Sequence, residues 1–235
     1  MPGAFEGLEI VVTGGTGALG TAVVGALLER GATCHVPYIA AAEAERFPHR
    51  GHERVRLSGP VDLADETAVD RFYGGVKNLW ASIHLAGGFA MEPIEQTDGR
   101  NFMAQIEMNL TSCFLCCRAA VAAMTASGAG GRIVNVAARP GLEPRFGAGM
   151  IAYATSKAAV AALTQALAQE VVDRDILVNA VAPSTLDTPG NRAAMRKADF
   201  TKWARLDDVA ATILFLASPE NRVTRGAILP VYGKS

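Results

Sequence analysis

The chain has 235 residues, of which 50% are hydrophobic and 19% charged, and its 22 basic and 23 acidic residues leave a formal net charge of −1. No basic run favours nucleic acid, and no acidic tail is typical of disorder. The N-terminus lacks a basic region followed by an apolar core, and no apolar stretch approaches the ~18 residues of a membrane span. We therefore expect a soluble, cytoplasmic protein of one domain, residues 1–235.

The first predicted strand, Leu8 to Val12, runs into a glycine-rich turn, Thr13 to Gly20. A helix follows and stops at Gly31. Glycines in such a turn let the backbone approach a pyrophosphate closely, and the N-terminus of the helix attracts its charge. Strand, turn and helix together predict a dinucleotide-binding site, with glycines three residues apart at Gly14, Gly17 and Gly20.

The second predicted strand, Ala32 to Pro37, ends without a charged residue. In dinucleotide-binding folds an acidic side chain at this position holds the ribose hydroxyls, and a basic one accepts a 2′-phosphate. Tyr38 and Ile39 do neither. A phosphate clamp could come from an arginine farther on, or those arginines could be ordinary surface charges: Arg46, Arg50 and Arg54. The coenzyme form stays open between NAD and NADP, and the missing carboxylate slightly favours NADP.

Five more strands are predicted, and helical stretches such as Phe102 to Met124 lie between them. Alternating strands and helices imply right-handed crossovers and a parallel sheet that is covered on both faces. The predicted fold is a single doubly wound, Rossmann-type α/β domain with a seven-stranded parallel sheet. The later strands are Val55–Leu57, Ala81–Ala86, Arg132–Ala137, Ile176–Ala182 and Ala227–Val231.

Two connections on the carboxyl side of strands are unusually long, residues 139–149 and residues 184–205. Ligands of doubly wound folds bind outside the carboxyl ends of the strands, so these loops are the predicted walls of a substrate site. The second loop is also a candidate lid. The alternative is that both are surface excursions without a role.

No metal site is predicted from the cysteines or histidines. Cys113, Cys116 and Cys117 lie in an apolar helical stretch, and their spacing of three and one cannot by itself close a tetrahedral site. We interpret them, with Cys34, as small buried hydrophobic residues, and no disulfide framework is implied. Two histidines in a polar loop, His49 and His52, are not assigned as ligands either.

The helical segment from Met150 to about Val172 carries Tyr153 and Lys157 one turn apart on the same side. A free tyrosine titrates near pH ~10, and lowering that pKa by ~3 units needs about 4 kcal/mol of stabilisation of the phenolate. A nearby ammonium can supply it. The pair therefore predicts a proton donor that acts as hydride reaches a neighbouring atom. Such pairs also occur on ordinary helices, so this interpretation depends on the rest of the chain.

With these segments placed, the chain resembles the short-chain dehydrogenase/reductase family over nearly its full length. The resemblance rests on several motifs spread from the first strand to the last. The matching segments are VVTGGTGALG at 11–20, Asp62-Leu63, LAGG at 85–88, MNL at 108–110, GRIVNV at 131–136, YATSK at 153–157, VNAVAPSTLDT at 178–188 and the closing RGAILPVYG.

The resemblance implies a role for each matching residue. Tyr153 would be the general acid/base, Lys157 would hold the nicotinamide ribose and lower the tyrosine pKa, and Asn109 would position a water or backbone group in a proton relay. The implied coenzyme contacts are Gly14, Thr16, Gly17 and Leu19 in the glycine turn, Asp62 and Leu63 beside adenine, Ala86 and Gly87 at the adenosine ribose, and Pro183 and Thr188 at the nicotinamide amide, besides Tyr153 and Lys157.

Three residues depart from the best-known branch of the family, and the first is Ala18, which stands at the middle glycine of the fingerprint. His84 stands where an asparagine is usual, and Ala138 stands where a serine would donate a hydrogen bond to the substrate oxygen. Losing such a donor typically costs about 3–4 kcal/mol of transition-state stabilisation. A substrate that is not reduced through an alkoxide would not need this donor.

The segments LAGGFA, GMIAYATSKAA and STLDTPGNRAAMRKADFTKW look like dihydropteridine reductases, which also lack that serine. This resemblance implies a small conjugated imine or carbonyl substrate reduced by NAD(P)H. The alternatives are a 3-oxoacyl or other ketone reductase with a replacement donor, and a non-catalytic NAD(P)-binding sensor or scaffold.

Alanine-rich faces on two helices suggest more small apolar surface than one sheet can cover. Family resemblance implies that these helices pair about a two-fold axis, as a homodimer or homotetramer. No nucleic-acid or membrane partner is expected. The alanines are Ala119, Ala120, Ala122 and Ala123 on the first helix and Ala158, Ala161 and Ala162 on the second.

Overall fold

The computed structural model describes residues 3–235. Seven strands form one all-parallel sheet in the order β3-β2-β1-β4-β5-β6-β7. The predicted fold class is confirmed. The strands are β1 Glu9–Thr13, β2 Thr33–Pro37, β3 Val55–Ser58, β4 Leu79–His84, β5 Gly131–Val136, β6 Ile176–Pro183 and β7 Ile228–Val231.

Nine α-helices and several shorter turns connect the strands of the described residues. Only part of this helical set is visible in the sequence pattern, because the short helices have no clear apolar period. The helices are α1 Ala18–Leu28, α2 Ala41–Arg46, α3 Glu66–Gly74, α4 Gly99–Ile106, α5 Ser112–Ser127, α6 Arg139–Leu142, α7 Ile151–Glu170, α8 Pro189–Ala194 and α9 Leu206–Ala217.

Two predicted elements need correction. β4 begins at Leu79 and ends at His84, so Leu85 and Ala86 belong to the following loop and not to the strand. The helical run predicted from Phe102 to Met124 extends from Gly99 to Ser127 and is interrupted by a π-helical turn, Glu107–Thr111. Both differences matter for the site, because this loop and this turn carry candidate residues.

The sheet order reverses between β1 and β4, which opens a crevice at the carboxyl ends of the strands. Register pairs Thr13 with His84 and His84 with Asn135, so β1, β4 and β5 end side by side. A core with α1 and α9 covers one face, and a second core with α3, α5 and α7 covers the other. This sandwich fixes the edge at which the candidate residues emerge.

The run Gly99–Ser127 is long and apolar enough to cross a membrane by length and composition alone. The expectation that no apolar stretch approaches that length is therefore too strict. Half of the most apolar window is buried inside the fold.

Candidate active site

The glycine turn after β1 is built so that only glycine fits at two positions. Gly14 has a φ of +65°, and a Cβ there would lie 2.6 Å from the amide nitrogen of Ala86. A Cβ on Gly20 would clash with the Gly14 carbonyl oxygen. The turn therefore packs tightly against both the loop after β4 and the first turn of α1.

The open side of this turn fits a diphosphate. A Cβ on Gly17 would meet only the Gly14 carbonyl oxygen, at 3.3 Å, and Gly17 is exposed. Helix α1 begins with Gly17 as its N-cap, with no side-chain cap and no acidic residue in its first turn. Its first N–H groups therefore stay available to an anion, as the dinucleotide prediction requires.

Several predicted coenzyme contacts also lie at the carboxyl edge of the sheet. The Ala86 amide approaches the Thr13 hydroxyl at 3.4 Å, and Pro183 ends the buried strand β6. Thr188 caps α8 by accepting a hydrogen bond from the Asn191 amide at 3.1 Å. The roles proposed for these residues stay predictions.

The adenosine side of the predicted site follows β2 and β3. The Asp62 carboxylate is exposed and accepts a hydrogen bond from the Ala64 amide at 2.9 Å, and Leu63 is half-buried. The Tyr38 ring lies against Gly59, since a Cβ on that glycine would approach the ring to 2.6 Å. Tyr38 therefore occupies a fixed place at the end of β2.

The arginines considered as a phosphate clamp are not equivalent. Arg54 donates to the Leu28 carbonyl at 3.1 Å, at the far end of α1, and so points away from the coenzyme crevice. Arg50 donates to the Glu45 carbonyl at 2.9 Å. Arg46 is exposed in the last turn of α2, the helix that begins just after Tyr38. Of the three arginines, Arg46 is therefore the best candidate for a contact with a 2′-phosphate.

Tyr153 and Lys157 lie in the first two turns of α7, as predicted, but their electrostatics differ from the prediction. Burial raises the pKa of Tyr153 to about 12 and lowers the pKa of Lys157 to about 8. The Lys157 ammonium donates to the Val136 carbonyl oxygen at 2.9 Å and lies 6.0 Å from the centre of the Tyr153 ring.

The expected lowering of the phenol pKa is therefore wrong for this structure, because burial outweighs an ammonium that turns towards the end of β5. The phenol is protonated at neutral pH, as a free tyrosine would be, and its raised pKa makes it a weaker acid than that prediction requires.

Asn109 sits in the π-helical turn and is 1% exposed. Its Oδ1 accepts from the Gly88 amide at 3.0 Å, and its Nδ2 donates to the Gly88 carbonyl at 3.0 Å. A Cβ on Gly87 would lie 2.5 Å from Asn109 Oδ1 and 3.5 Å from Lys157 Nζ. Asn109 thus holds the backbone of the loop after β4 directly beside Lys157.

The substrate side is apolar where a hydroxyl donor is usual. Ala138 is 4% exposed and precedes α6, which occupies the start of the predicted 139–149 loop. The next polar side chain, Arg139, lies 3.4 Å from a Glu143 carboxylate oxygen and 3.9 Å from the Phe146 ring centre. Its Nε is buried without a hydrogen-bond partner among the described residues, so Arg139 stays a candidate for the replacement donor.

Phe89 was not indicated by the sequence pattern, yet it touches the predicted acid. Its ring meets the Tyr153 ring edge-to-face, with centroids 5.0 Å apart. Phe89 is 60% exposed and Met91 66%, so this loop presents apolar side chains to solvent close to Tyr153. The sequence signal that could have identified Phe89 is an aromatic residue directly after LAGG, in a turn where polar residues are usual.

The 184–205 loop is tied back on itself. Leu186 bridges to Ala204, and Asp187 forms an ion pair with Arg192. A cavity of about 670 Å³ lies against this loop and α9 and is not lined by Tyr153, Lys157 or Asn109.

A buried polar network lies beneath the site and includes two of the four cysteines. His84 Nδ1 lies 2.8 Å from Asn135 Oδ1, and Asn135 Nδ2 donates to the Thr164 hydroxyl at 2.9 Å. Cys117 Sγ lies 3.5 Å from Asn135 Oδ1, and a ring nitrogen of His84 approaches both Cys113 and Cys117. The spacing of the cysteines alone did not indicate His84, because it comes from β4.

The remaining cysteines agree with the predicted buried hydrophobic role. Cys34 and Cys116 are buried, and burial raises the pKa of each thiol to about 12. All four cysteines are free thiols. His49 approaches the Thr21 carbonyl at 3.2 Å, and His52 accepts a hydrogen bond from the Arg54 amide at 3.1 Å, so both have local structural partners.

Comparison with known proteins agrees with this geometry. Residues 9–213 match the family model described as short chain dehydrogenase. The chain is 34% identical to galactitol 2-dehydrogenase of Rhizobium johnstonii, covering 97% of this chain and 94% of that protein. It is 29% identical to acetoacetyl-CoA reductase of Allochromatium vinosum, covering 95% and 96%. A crystal structure of an oxidoreductase from Burkholderia thailandensis superposes with a TM-score of 0.87 at 27% identity, covering 96% and 91%.

Proposed function

We propose a substrate class for this chain, which belongs to the short-chain dehydrogenase family and is an NAD(P)-dependent oxidoreductase. Its preferred substrate is a small conjugated imine or carbonyl compound, reduced as in dihydropteridine reductases. The observation that carries this proposal is Ala138, a buried methyl group at the position of the usual hydroxyl donor.

The proton chemistry follows from the side chains. NAD(P)H, when bound, supplies the hydride. Tyr153 donates its phenolic proton to the substrate nitrogen or oxygen as the neighbouring carbon is reduced, and the resulting phenolate regains a proton from solvent through the relay. Lys157 stands one helical turn away, with its ammonium held by the Val136 carbonyl, and is the residue that would hold the nicotinamide ribose. Asn109 orders the Gly87–Gly88 backbone that borders this pair.

A conjugated substrate fits the missing donor. Reduction of an isolated ketone develops negative charge on oxygen, and one absent donor typically costs about 3–4 kcal/mol there. In a conjugated C=N system the charge is delocalised, so the phenol alone can complete the reaction. The exposed apolar side chains of Phe89 and Met91, in the loop that meets Tyr153, also suit a flat, uncharged molecule.

A ketone or alcohol substrate is the second candidate. It is favoured by the names of the two relatives above, one a polyol dehydrogenase and one a thioester ketone reductase; neither is named a pterin reductase. A non-catalytic NAD(P)-binding sensor is disfavoured by the complete set of Tyr153, Lys157 and Asn109.

The deciding experiment measures coenzyme oxidation with a quinonoid dihydropterin, quinones, 3-oxoacyl thioesters and simple ketones. We expect the dihydropterin to be reduced faster than a simple ketone, and Ala138→Ser to bring no gain with it. The exposed Ala148 in the same loop offers a matched control, Ala148→Ser, that should leave every rate unchanged. The reverse order, with Ala138→Ser speeding ketone reduction further, would assign the chain to the ketone reductases.

We also propose a cytoplasmic homodimer or homotetramer, in line with a family whose members are commonly oligomeric. The alanine argument needs revision, because Ala119, Ala120 and Ala161 are already buried within the protomer. Better support comes from Phe114, an aromatic side chain on α5 that is 49% exposed.

A further inference from the structure

Beneath the catalytic helix, His84, Cys113 and Cys117 bring three metal-ligating atoms together. One ring nitrogen of His84 and the two sulfur atoms all lie within 4.8 Å of one another. The three residues are 3%, 6% and 1% exposed. A soft or borderline cation is the kind of ligand that thiolate and imidazole donors select.

Secondary structure presents these donors from two directions. Cys113 and Cys117 are four residues apart on α5 and therefore lie one turn apart on the same side of the helix. His84 is the last residue of β4, the strand against which α5 packs. The spacing of the cysteines gives two ligands, and the sheet provides the third.

The observed distances are close to those of a zinc site. With Zn–S bonds of about 2.3 Å and Zn–N bonds of about 2.0 Å, tetrahedral geometry places sulfur and nitrogen about 3.5 Å apart. His84 Nδ1 lies 3.6 Å from Cys117 Sγ. Asn135 Oδ1 lies 2.8 Å from the same nitrogen and 3.5 Å from the same sulfur, so a fourth donor borders the position.

Hydrogen bonds define the protonation of the metal-free cluster. The Thr164 hydroxyl donates to the Val160 carbonyl and must therefore accept from Asn135 Nδ2, which turns Asn135 Oδ1 towards His84. Nδ1 of His84 then carries the proton that it shares with Asn135 Oδ1.

The outer partners of His84 can serve either tautomer. Nε2 lies 2.8 Å from the Ser82 hydroxyl and 3.3 Å from the Tyr73 hydroxyl, and a hydroxyl can donate or accept. A metal ion can therefore displace the proton from Nδ1. Nε2 then carries a proton and donates it to the Ser82 hydroxyl. Such outer partners orient metal-bound histidines.

Charge selects the ion. Two thiolates and a neutral imidazole carry a charge of −2 and so neutralise a divalent cation, whereas a monovalent ion would leave a net charge in an apolar interior.

We propose that His84, Cys113 and Cys117 bind one Zn²⁺ ion, with Asn135 Oδ1 as the fourth ligand. Binding forms two Zn–S bonds, one Zn–N bond and one Zn–O bond. Two S–H bonds break and release two protons to solvent, and the imidazole proton moves from Nδ1 to Nε2, so the imidazole stays neutral. No electrons are transferred. This inference departs from the prediction that the chain has no metal site, and it is independent of the substrate.

The site would bear on catalysis by position. Helix α5, which carries both cysteines, continues directly from the turn that carries Asn109. A zinc ion would fix the start of α5 and would therefore act on the site through Asn109 without touching the substrate.

The test is zinc binding by the purified full chain after treatment with a chelator. Zn²⁺ is titrated in competition with a chromophoric chelator, and Cd²⁺ is added separately to observe thiolate-to-metal absorption. Cys116 supplies a matched control, since it is a buried neighbour on the same helix that faces Tyr73 instead of the cluster.

We expect wild type and Cys116→Ser to bind one Zn²⁺ per chain, and Cys117→Ser to bind at least about 100-fold more weakly. Affinity should rise with pH, because binding releases protons. His84→Asn tests the third ligand if Cys117→Ser folds poorly. The proposal would be overturned if wild type did not bind Zn²⁺, or if the Cys117→Ser and His84→Asn variants bound Zn²⁺ as tightly as wild type. Neither result depends on substrate turnover, so failure here leaves the proposed reaction intact.

Discussion

The buried ammonium of Lys157 should reduce the stability of the folded protein at neutral pH. Burial lowers its pKa from 10.5 to about 8, which corresponds to about 3 kcal/mol at 1.36 kcal/mol per pKa unit. Lys157→Met keeps most of the side-chain length and removes the charge, at the loss of one hydrogen bond to Val136 worth about 1 kcal/mol. We therefore expect the free energy of unfolding of Lys157→Met to be about 2 kcal/mol higher than that of wild type at neutral pH. We expect the variant to lose activity.

The pH dependence gives the sign of this effect. Below pH 8 both folded and unfolded wild type carry the lysine proton, so the full cost of burial is present. Between 8 and 10.5 the folded state releases that proton while the unfolded state keeps it, so wild-type stability rises with pH relative to the variant. Above 10.5 the lysine is neutral in both states and the advantage of the variant disappears.

Urea unfolding followed by tryptophan fluorescence measures the difference across this window. Lys77→Met is the matched control, since Lys77 is exposed and its replacement should change the free energy of unfolding by less than about 0.5 kcal/mol. A Lys157→Met variant that is less stable than wild type at neutral pH, or a difference that stays constant from pH 8 to 10.5, would refute the reasoning.

Three further predictions concern the proton donor, the coenzyme and assembly. Tyr153→Phe should lower turnover by roughly 10²–10⁴ while coenzyme affinity, measured by fluorescence titration, stays close to wild type; unchanged turnover would exclude Tyr153 as the acid. Wild type should bind NADPH at least as tightly as NADH, and Tyr38→Asp should shift the ratio of dissociation constants towards NADH; a strong wild-type preference for NADH contradicts this. Sedimentation at micromolar concentration should show a dimer or tetramer that Phe114→Glu weakens, and a wild-type monomer would disprove the predicted assembly.

The strands could be predicted because each is short, apolar and bounded by glycine, proline or polar residues. β4 was displaced by two residues, since the apolar run continues through Leu85 and Ala86 after pairing with β1 has ended. The π-helical turn was not predictable from apolar spacing, because five residues are too few to show a change of period.

The site residues could be predicted where backbone geometry or a motif restricts the residue type, as at Gly14 and in the Tyr153–Lys157 pair. The direction in which the Lys157 side chain points could not, because it depends on the Val136 carbonyl of a different element. Phe89 and His84 were missed for the same reason: their partners, Tyr153 and the α5 cysteines, are distant in sequence.

The π-helical turn Glu107–Thr111 makes the length of the chain itself a determinant of the site. An α-helix rotates by about 100° per residue, so an extra residue in one turn sets the two flanking helices out of phase by about that angle. Deleting a single residue here would restore a regular helix and rotate Asn109 away from Gly88. Family members that differ in length by one residue between α4 and α5 should therefore hold the loop after β4 with a different side chain, however similar their motifs are.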